Sequence, residues 1–253
     1  MSKIVVIHAG ANKTKRYGGF RAPIFSDGSF IFMQFPEAEG RVHDPELPTY
    51  RSMGWEPYVP KELLARCIHL DPSFPESGIP STYGHYRRPG DNIIFDLKDG
   101  AGYLFFMASL AYDASKGIER LPCINREWGV YLVGWFRVKR VLTQKEFMVA
   151  SPEVRQEFKY NPHFTRRDAE QYAPLWISSI KASLLKTAVP LSDPDDPLQP
   201  NKFTKNVLRT VKGKRISDNT PFYHLVLKCE DNIQDFWREL RGKNPELFAT
   251  DLQ

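Results

Sequence analysis

The stretch of residues 91–142 constrains the fold more than any other part of this sequence. Residues 129–142 form an apolar run that contains Gly134 and ends in alternating Val and Lys or Arg. This pattern predicts a strand over residues 129–142, the strongest strand signal in the chain. Residues 91–110 hold further apolar runs, which begin after the turn residues Pro89 and Gly90. We therefore expect a β core in this stretch.

Strand patterns also outnumber helix patterns in the rest of the chain. Further strand-like runs lie at residues 4–8, 176–180 and 222–229. Residues 21–35 predict a hairpin, with arms at 22–25 and 30–33 and a turn at 26–29 that contains Asp27-Gly28. Helical signals are fewer and later. Residues 143–146 have the pattern of a helix cap, and Ser151 with Pro152 is a typical start of a helix that runs to about Tyr160. Residues 231–243 form an amphipathic helix. Many short strands with few helices favour an α+β, mainly β fold over alternating βαβ units.

The length of 253 residues suits one elaborated domain. We expect a single domain over residues 1–253. Its core is predicted at about residues 89–142, and residues 1–88 and 143–253 elaborate this core with peripheral helices and long loops.

The charge of the chain permits contact with phosphate without requiring it. The net charge is +5, from 35 basic and 30 acidic residues. Basic clusters lie at residues 13–16, 87–88, 137–140, 166–167 and 212–215. They form either solvated surfaces or, if they share one side of the fold, a groove that follows a phosphate backbone.

The cysteines and apolar runs exclude some classes of protein. No pair of the three cysteines or the histidines has the short spacing of a zinc site, so the sequence predicts no metal site and names no cofactor. No apolar run approaches the length of a membrane span. We expect a cytoplasmic protein with reduced thiols and no membrane partner.

The tripeptide His69-Leu70-Asp71 is the first candidate for chemistry. In an extended segment, His69 and Asp71 point the same way. A carboxylate beside an imidazole raises its basicity, as general-base catalysis or metal binding requires. The alternative is a surface histidine and an aspartate that ends a turn before Pro72.

Two further segments carry candidate binding residues. Residues 81–88 concentrate Tyr83, His85 and Arg87, a set that suits a base and a phosphate, although a polar loop has the same composition. The glycine pair Gly18-Gly19 permits close approach of a ligand to the backbone, or forms a flexible loop before the hairpin.

With these residues in place, the layout resembles the nucleotide modification associated domain family, third type. The strand pair of residues 91–142 is also similar to that of small PUA-like base-binding barrels. The matching motifs, in chain order, are Gly18-Gly19, residues 23–28, 69–72, 90–91, 104–106, 133–136 and 161–164, and a late aromatic-rich strand and helix. Residues 96–102 and 190–202 depart from the family pattern.

The resemblance implies a PUA-like barrel and a role in making or handling modified bases in phage and prokaryotic DNA. We therefore expect a nucleotide or a nucleic acid as the partner. One hypothesis is a base-modifying enzyme. In it, His69 and Asp71 are the acid/base pair, Asp27 is an auxiliary carboxylate, and His85 with Arg87 contacts the phosphate or base.

The alternative hypothesis is a non-catalytic reader that holds a modified base in an aromatic cage. Its candidate rings are Tyr83, Tyr103, Trp128 and Trp135. A third possibility is a structural interaction module whose basic clusters bind nothing specific.

Overall fold

The structure, a computed structural model, describes eleven parts of the chain. They are residues 3–11, 18–37, 47–75, 78–86, 94, 97–98, 102–116, 127–164, 174–191, 227–229 and 242. The strands are β1 (Lys3–His8), β2 (Ala22–Phe25), β3 (Thr82–Tyr86), β4 (Gly102–Asp113), β5 (Trp128–Leu142), β6 (Pro174–Pro190) and β7 (Leu227–Cys229). Two short helices follow β5, α1 (Gln144–Met148) and α2 (Pro152–Gln156), and 3-10 turns lie at Lys61–Leu63 and Ala114–Lys116.

The strands of these parts form one open, mixed sheet. Its hydrogen-bonded order is β3-β6-β5-β4-β1-β7, and β2 also pairs with β4. The ladders β4–β5, β5–β6, β3–β6 and β1–β7 are antiparallel, whereas β1 and β2 both run parallel to β4. The predicted sheet-rich fold with few helices is confirmed. The PUA-like barrel is not, because the sheet ends in separate edge strands, β3 and β7.

The ladder between β4 and β5 is the centre of the sheet, as the sequence predicts. Its register runs from the pair Tyr103 and Arg137 to the pair Ala111 and Trp128, with a shift after Phe106. Both strands are buried on both faces over most of their length, and the alternation appears only at the charged end of β5. The strand predicted at residues 176–180 is part of the longer strand β6, which continues to Pro190. Pairing with β5 along most of its length accounts for this extension.

Loops from the first third of the chain cover one face of this sheet. Phe32, Phe74 and Tyr83 pack there with Phe106 and Phe136 in a single buried cluster. Phe74 contacts Phe32, Phe106 and Phe136 edge-on, at ring-centroid distances of 5.4–5.5 Å. This layer matters for function because the same loops carry the candidate residues of segments 18–37 and 67–75.

A substitution at Gly134 in β5 can test this packing. A Cβ added to Gly134 would lie 2.7 Å from the Phe74 ring and 3.0 Å from the Ser183 carbonyl oxygen. We therefore expect Gly134→Ala to lower the free energy of unfolding by about 1–3 kcal/mol, measured by urea denaturation. Gly242→Ala is the control, because its added Cβ meets no atom within 4 Å. Equal losses in the two variants would contradict the close approach of Phe74 to β5.

The two helices begin where the sequence predicts. Thr143 caps α1 in a capping box with Glu146, and Ser151 caps α2 with Pro152 in the first turn. Residues 147, 158 and 176 then form a second aromatic core, in which the rings of Phe147 and Trp176 stack at 4.0 Å. The predicted extension of α2 to about residue 160 is wrong, because the chain leaves the helix after Gln156 and enters turns.

The remaining expectations concern the hairpin, the cysteines and two segments outside the described residues. The turn of the predicted hairpin forms, with Gly28 at a φ of 81°, but its second arm makes only an isolated bridge from Phe30 to Ile24. Cys67 is a reduced, half-buried thiol. The predicted strand at 92–96, apart from residue 94, and nearly all of the helix at 231–243 lie outside the described residues.

Candidate functional site

The edge of β3 that does not pair with β6 is covered by the segment that carries Asp71. Ser73 N–H donates to the Thr82 carbonyl oxygen at 3.0 Å, and Thr82 N–H donates to Ser73 Oγ at 2.9 Å. Next to this contact, Gly84 N–H donates to Asp71 Oδ1 at 2.7 Å. A sheet edge presents unpaired backbone donors, and here one of them fixes the orientation of a buried carboxylate.

A second irregular backbone pairing brings Glu37 to His69. Glu37 N–H donates to the Cys67 carbonyl oxygen at 2.9 Å, and His69 N–H donates to the Phe35 carbonyl oxygen at 3.0 Å. The side chains meet as a result: His69 Nδ1 lies 2.8 Å from Glu37 Oε2. The His69 ring also stacks on Phe35, with 4.4 Å between centroids. The imidazole is therefore held by one carboxylate and one ring.

The turns after α2 add Asn161 and His163. His163 Nε2 lies 3.0 Å from Asp71 Oδ2, and Asn161 Nδ2 donates to Asp71 Oδ1 at 3.1 Å. His163 N–H donates to Asn161 Oδ1 at 3.1 Å, which ties the two residues to each other. The neighbouring Phe164 packs edge-on against Phe147 of the second aromatic core, so this core anchors the turn.

Gly84 provides the space that His163 occupies. A Cβ at Gly84 would overlap His163 Cδ2 and would lie 3.0 Å from His163 Cγ and 3.1 Å from Asn161 Oδ1. The backbone of β3 thus approaches the imidazole more closely than any other residue type allows. We call Glu37, His69, Asp71 and His163 the buried cluster.

All four members of the buried cluster are nearly inaccessible to solvent, with exposures of 2–5%. Desolvation by this burial holds the pKa of His69 below its ordinary value, and the opposing hydrogen bond with Glu37 does not restore it. A neutral imidazole that donates Nδ1–H to Glu37 has its lone pair on Nε2. That nitrogen lies 4.0 Å from Asp71 Oδ2. The arrangement suits a proton acceptor or a metal ligand.

Three residues of the buried cluster are placed to share an ion. His69, Asp71 and His163 each offer one ligand atom, and these atoms all lie within 4.8 Å of one another. No short sequence spacing indicates this group of residues, because Asp71 and His163 are 92 residues apart. The sequence therefore predicted no metal site here.

The other predicted residues of β3 and the glycine pair lie beside segments of the buried cluster but are not members of it. Tyr83 Oη lies 3.0 Å from His85 Nδ1, and the Tyr83 ring packs on Phe106. These side chains alternate with Gly84 along β3, so they point to the opposite face of the strand. Gly18 and Gly19 have φ angles of 100° and 73°, and a Cβ at Gly18 would lie 3.2 Å from Pro36. The glycine pair thus adjoins the segment that carries Glu37.

Asp27 is not brought into the buried cluster. It is exposed in its own turn, where its Oδ1 accepts from Ser29 N–H at 2.9 Å and from Ser29 Oγ–H at 2.6 Å. The next residue, Gly28, accepts from Ala188 N–H near the end of β6, whereas Gly84 of β3 pairs with Trp176 near its start. These points are separated by roughly 40 Å of extended strand at 3.3 Å per residue.

The candidate rings of an aromatic cage do not lie at one place. Tyr103 contacts Trp135 at 6.0 Å between centroids, and Trp135 is only 1% exposed. Trp128 pairs with Ala111 at the other end of the ladder, eight residues or roughly 26 Å along β4 from Tyr103. The Arg21 guanidinium lies 3.7 Å from the centre of the Trp128 ring.

Arg87 and most of the basic clusters lie outside the described residues. The cluster at 137–140 is described on β5, where Lys139 Nζ is 2.6 Å and Arg140 is 3.6 Å from the Glu157 carboxylate. A groove that collects the basic clusters therefore stays a prediction.

Sequence reasoning found His69 and Asp71 but missed Glu37, Asn161 and His163 as partners. His163 was noted as a loop residue and as part of the family motif 161–164, without a role in a site, and Glu37 lies in a proline-rich segment without periodicity. The one local signal was Asn161, since an asparagine side chain that caps the backbone two residues later is typical of an ordered turn.

Comparison with known proteins gives a family. A family model described as nucleotide modification associated domain 3 matches residues 3–235, which is most of the chain and includes the whole buried cluster. The family expected from the sequence motifs is confirmed. No curated protein and no solved structure matches the chain. Within the described parts of the chain, no helix is long and apolar enough to cross a membrane.

Proposed function

The chain belongs to the nucleotide modification associated domain 3 family, and we propose that it is an enzyme that modifies a base, in a nucleotide or in DNA, at the buried cluster. The observation that carries this proposal is the contact of His69 with two buried carboxylates, 2.8 Å to Glu37 and 4.0 Å to Asp71. Burial of four titratable groups in mutual contact is costly for stability alone, and such groups concentrate at reactive sites.

The chemistry proposed for His69 is proton removal. Its Nε2 accepts a proton from the substrate or from water, while Glu37 stabilises the resulting imidazolium through Nδ1–H. Glu37 acts through His69, so it is a positioning residue. The lowered pKa of His69 keeps this imidazole neutral, and therefore able to accept a proton, at neutral pH.

Asp71 and His163 form the second half of the proposed site. Gly84 N–H and Asn161 hold Asp71 Oδ1, so that Asp71 Oδ2 faces both imidazoles. Two imidazoles around one carboxylate oxygen allow one side chain to accept a proton while the other donates one. Since the buried cluster is nearly inaccessible, the substrate base has to enter it, and a base in a duplex has to be flipped out first.

The test is a conversion assay on nucleotides and on DNA, read by mass spectrometry of the nucleosides. We expect wild-type protein to change the mass of a nucleoside and His69→Ala to reduce the rate at least about 100-fold, as loss of general-base catalysis does. The matched control is His8→Gln, because His8 lies at the end of β1 and contacts Ser109 at 3.3 Å.

Equal rates for wild type and folded His69→Ala would remove the role assigned to His69. A different outcome would support the reader: tight binding of a modified base without conversion, unchanged in His69→Ala but lost in Tyr103→Ala. Stacking on one ring contributes about 1–3 kcal/mol, so the reader predicts a loss of affinity of at least about fivefold in Tyr103→Ala.

A further inference from the structure

We propose that His69, Asp71 and His163 bind one divalent first-row transition cation through His69 Nε2, Asp71 Oδ2 and His163 Nε2. Their ligand atoms lie within 4.8 Å of one another. Two imidazole nitrogens and one carboxylate oxygen are a ligand set that suits zinc and non-haem iron(II). The inference rests on the proposed function for the role of the cation in chemistry, but not for its binding.

The distances fit a shared cation after a small adjustment. Ligands at about 2.0–2.2 Å from one cation, at angles of about 90–110°, lie roughly 3.0–3.5 Å from each other. The separation of His163 Nε2 from Asp71 Oδ2 is 3.0 Å, which already falls in this range. The separation of His69 Nε2 from Asp71 Oδ2 is 4.0 Å. A side-chain movement of about 1 Å or less closes it to a ligand–ligand distance. The ligand atoms of the two histidines lie within 4.8 Å of each other, so they approach by at most about 2 Å when a cation binds.

The surroundings of His69 and Asp71 are those that orient metal ligands. A metal-bound histidine almost always donates its other ring N–H to a carboxylate or carbonyl, and His69 Nδ1 lies 2.8 Å from Glu37 Oε2. Asp71 Oδ1 is held by Gly84 N–H and by Asn161 Nδ2. These contacts occupy His69 Nδ1 and Asp71 Oδ1 and leave His69 Nε2 and Asp71 Oδ2 4.0 Å apart.

Charge and ligand type select the kind of cation. With neutral imidazoles, the carboxylates of Glu37 and Asp71 give the buried cluster a formal charge of −2, which a divalent cation balances. Mg²⁺ and Ca²⁺ prefer six or more oxygen ligands, whereas two of the three ligands here are nitrogens. Three protein ligands leave a coordination position for water or substrate, as in catalytic zinc sites.

A cation at this site would alter the proposed reaction in one respect. When bound, it would supply Lewis acidity to a coordinated water or substrate, and His69 Nε2 would no longer be available to accept a proton. His69 then serves as a ligand, and Glu37 keeps its part in orienting the ring.

The experiment is a metal titration of the full chain after removal of metal by a chelator, without nucleotide. ZnCl₂ is followed by calorimetry, CoCl₂ by visible absorption, and MgCl₂ serves as the oxygen-preferring probe. We expect one equivalent of Zn²⁺ or Co²⁺ to bind wild type, and at least about 100-fold weaker binding in His163→Gln. His8→Gln is expected to match wild type, and Mg²⁺ is expected to bind far more weakly.

The variant Glu37→Gln extends the titration to a substitution that removes no metal ligand. Loss of such an outer partner reduces metal affinity about 10–100-fold, and we expect the stoichiometry to stay at one. Circular dichroism of each variant confirms that it is folded. Binding of Zn²⁺ and Co²⁺ by wild type that is no tighter than binding by His163→Gln would overturn the inference.

The two proposals fail separately. Stoichiometric Zn²⁺ binding without conversion of any base would refute the enzyme and leave the metal site standing. Base conversion that survives the chelator but is lost in His69→Ala would refute the metal site and leave the enzyme standing.

Discussion

Asp71→Ala is expected to lower the free energy of unfolding by about 3–5 kcal/mol, because it breaks a buried charged network by removing its central partner. Asp71 is 5% exposed. Its loss leaves Gly84 N–H and Asn161 Nδ2 without this acceptor and separates His163 from its carboxylate. Proteins of this kind are stable by only about 5–15 kcal/mol, so the loss is a large part of the total. Urea denaturation followed by fluorescence measures it.

Two companion variants make this prediction specific. Asp113→Ala is the matched control, because Asp113 Oδ1 also accepts a backbone N–H, that of Ser115 at 2.8 Å, but in an exposed turn. We expect it to cost less than about 1 kcal/mol. Asp71→Asn keeps an oxygen for Gly84 and Asn161, so it is expected to cost less than Asp71→Ala while removing the negative charge. A loss in Asp71→Ala no larger than in Asp113→Ala would contradict the structure of the buried cluster.

Gly84→Ala is expected to destabilise the protein by about 1–3 kcal/mol, as overpacking of a buried site does. The new Cβ overlaps His163 Cδ2, and it lies 3.1 Å from Asn161 Oδ1. Because the backbone of β3 is fixed by its ladder with β6, the imidazole has to move instead. We also expect the metal affinity to fall by about 10–100-fold, since a displaced ligand loses its orientation.

A double-mutant cycle separates this effect from a general weakness of β3. In a His163→Ala background the obstructing ring is gone, so Gly84→Ala is expected to cost less than in wild type, with a coupling energy of about 0.5–3 kcal/mol. Denaturation of the four proteins gives this coupling. An equal cost in both backgrounds would mean that His163 does not lie against β3.

The sequence was sufficient where structure depends on local pattern. The apolar run of residues 129–142 predicted the extent of β5, and the Thr143 and Ser151 caps predicted the starts of both helices. His69 and Asp71 were found because they lie two residues apart in a segment that was expected to be extended. These features depend on neighbouring residues, which a single sequence displays directly.

The sequence was insufficient where structure depends on contacts between distant segments. Glu37 reaches His69 across 32 residues, and His163 reaches Asp71 across 92. Neither contact produces a periodic pattern in the sequence. Gly84 was passed over in favour of its neighbours Tyr83 and His85, although its missing side chain is what admits the His163 ring. The closed barrel was not confirmed. Local sequence patterns indicate which residues form strands, but they do not indicate the order in which the strands pair.

The central claim is that the buried cluster is the reactive centre of a base-modifying enzyme. Its most direct test compares the rates at which wild type, Asp71→Asn and Asp113→Asn change the mass of a nucleoside, each corrected for its folded fraction. The account predicts that Asp113→Asn matches wild type and that Asp71→Asn is at least about 100-fold slower. Product formed by Asp71→Asn at the wild-type rate would contradict it.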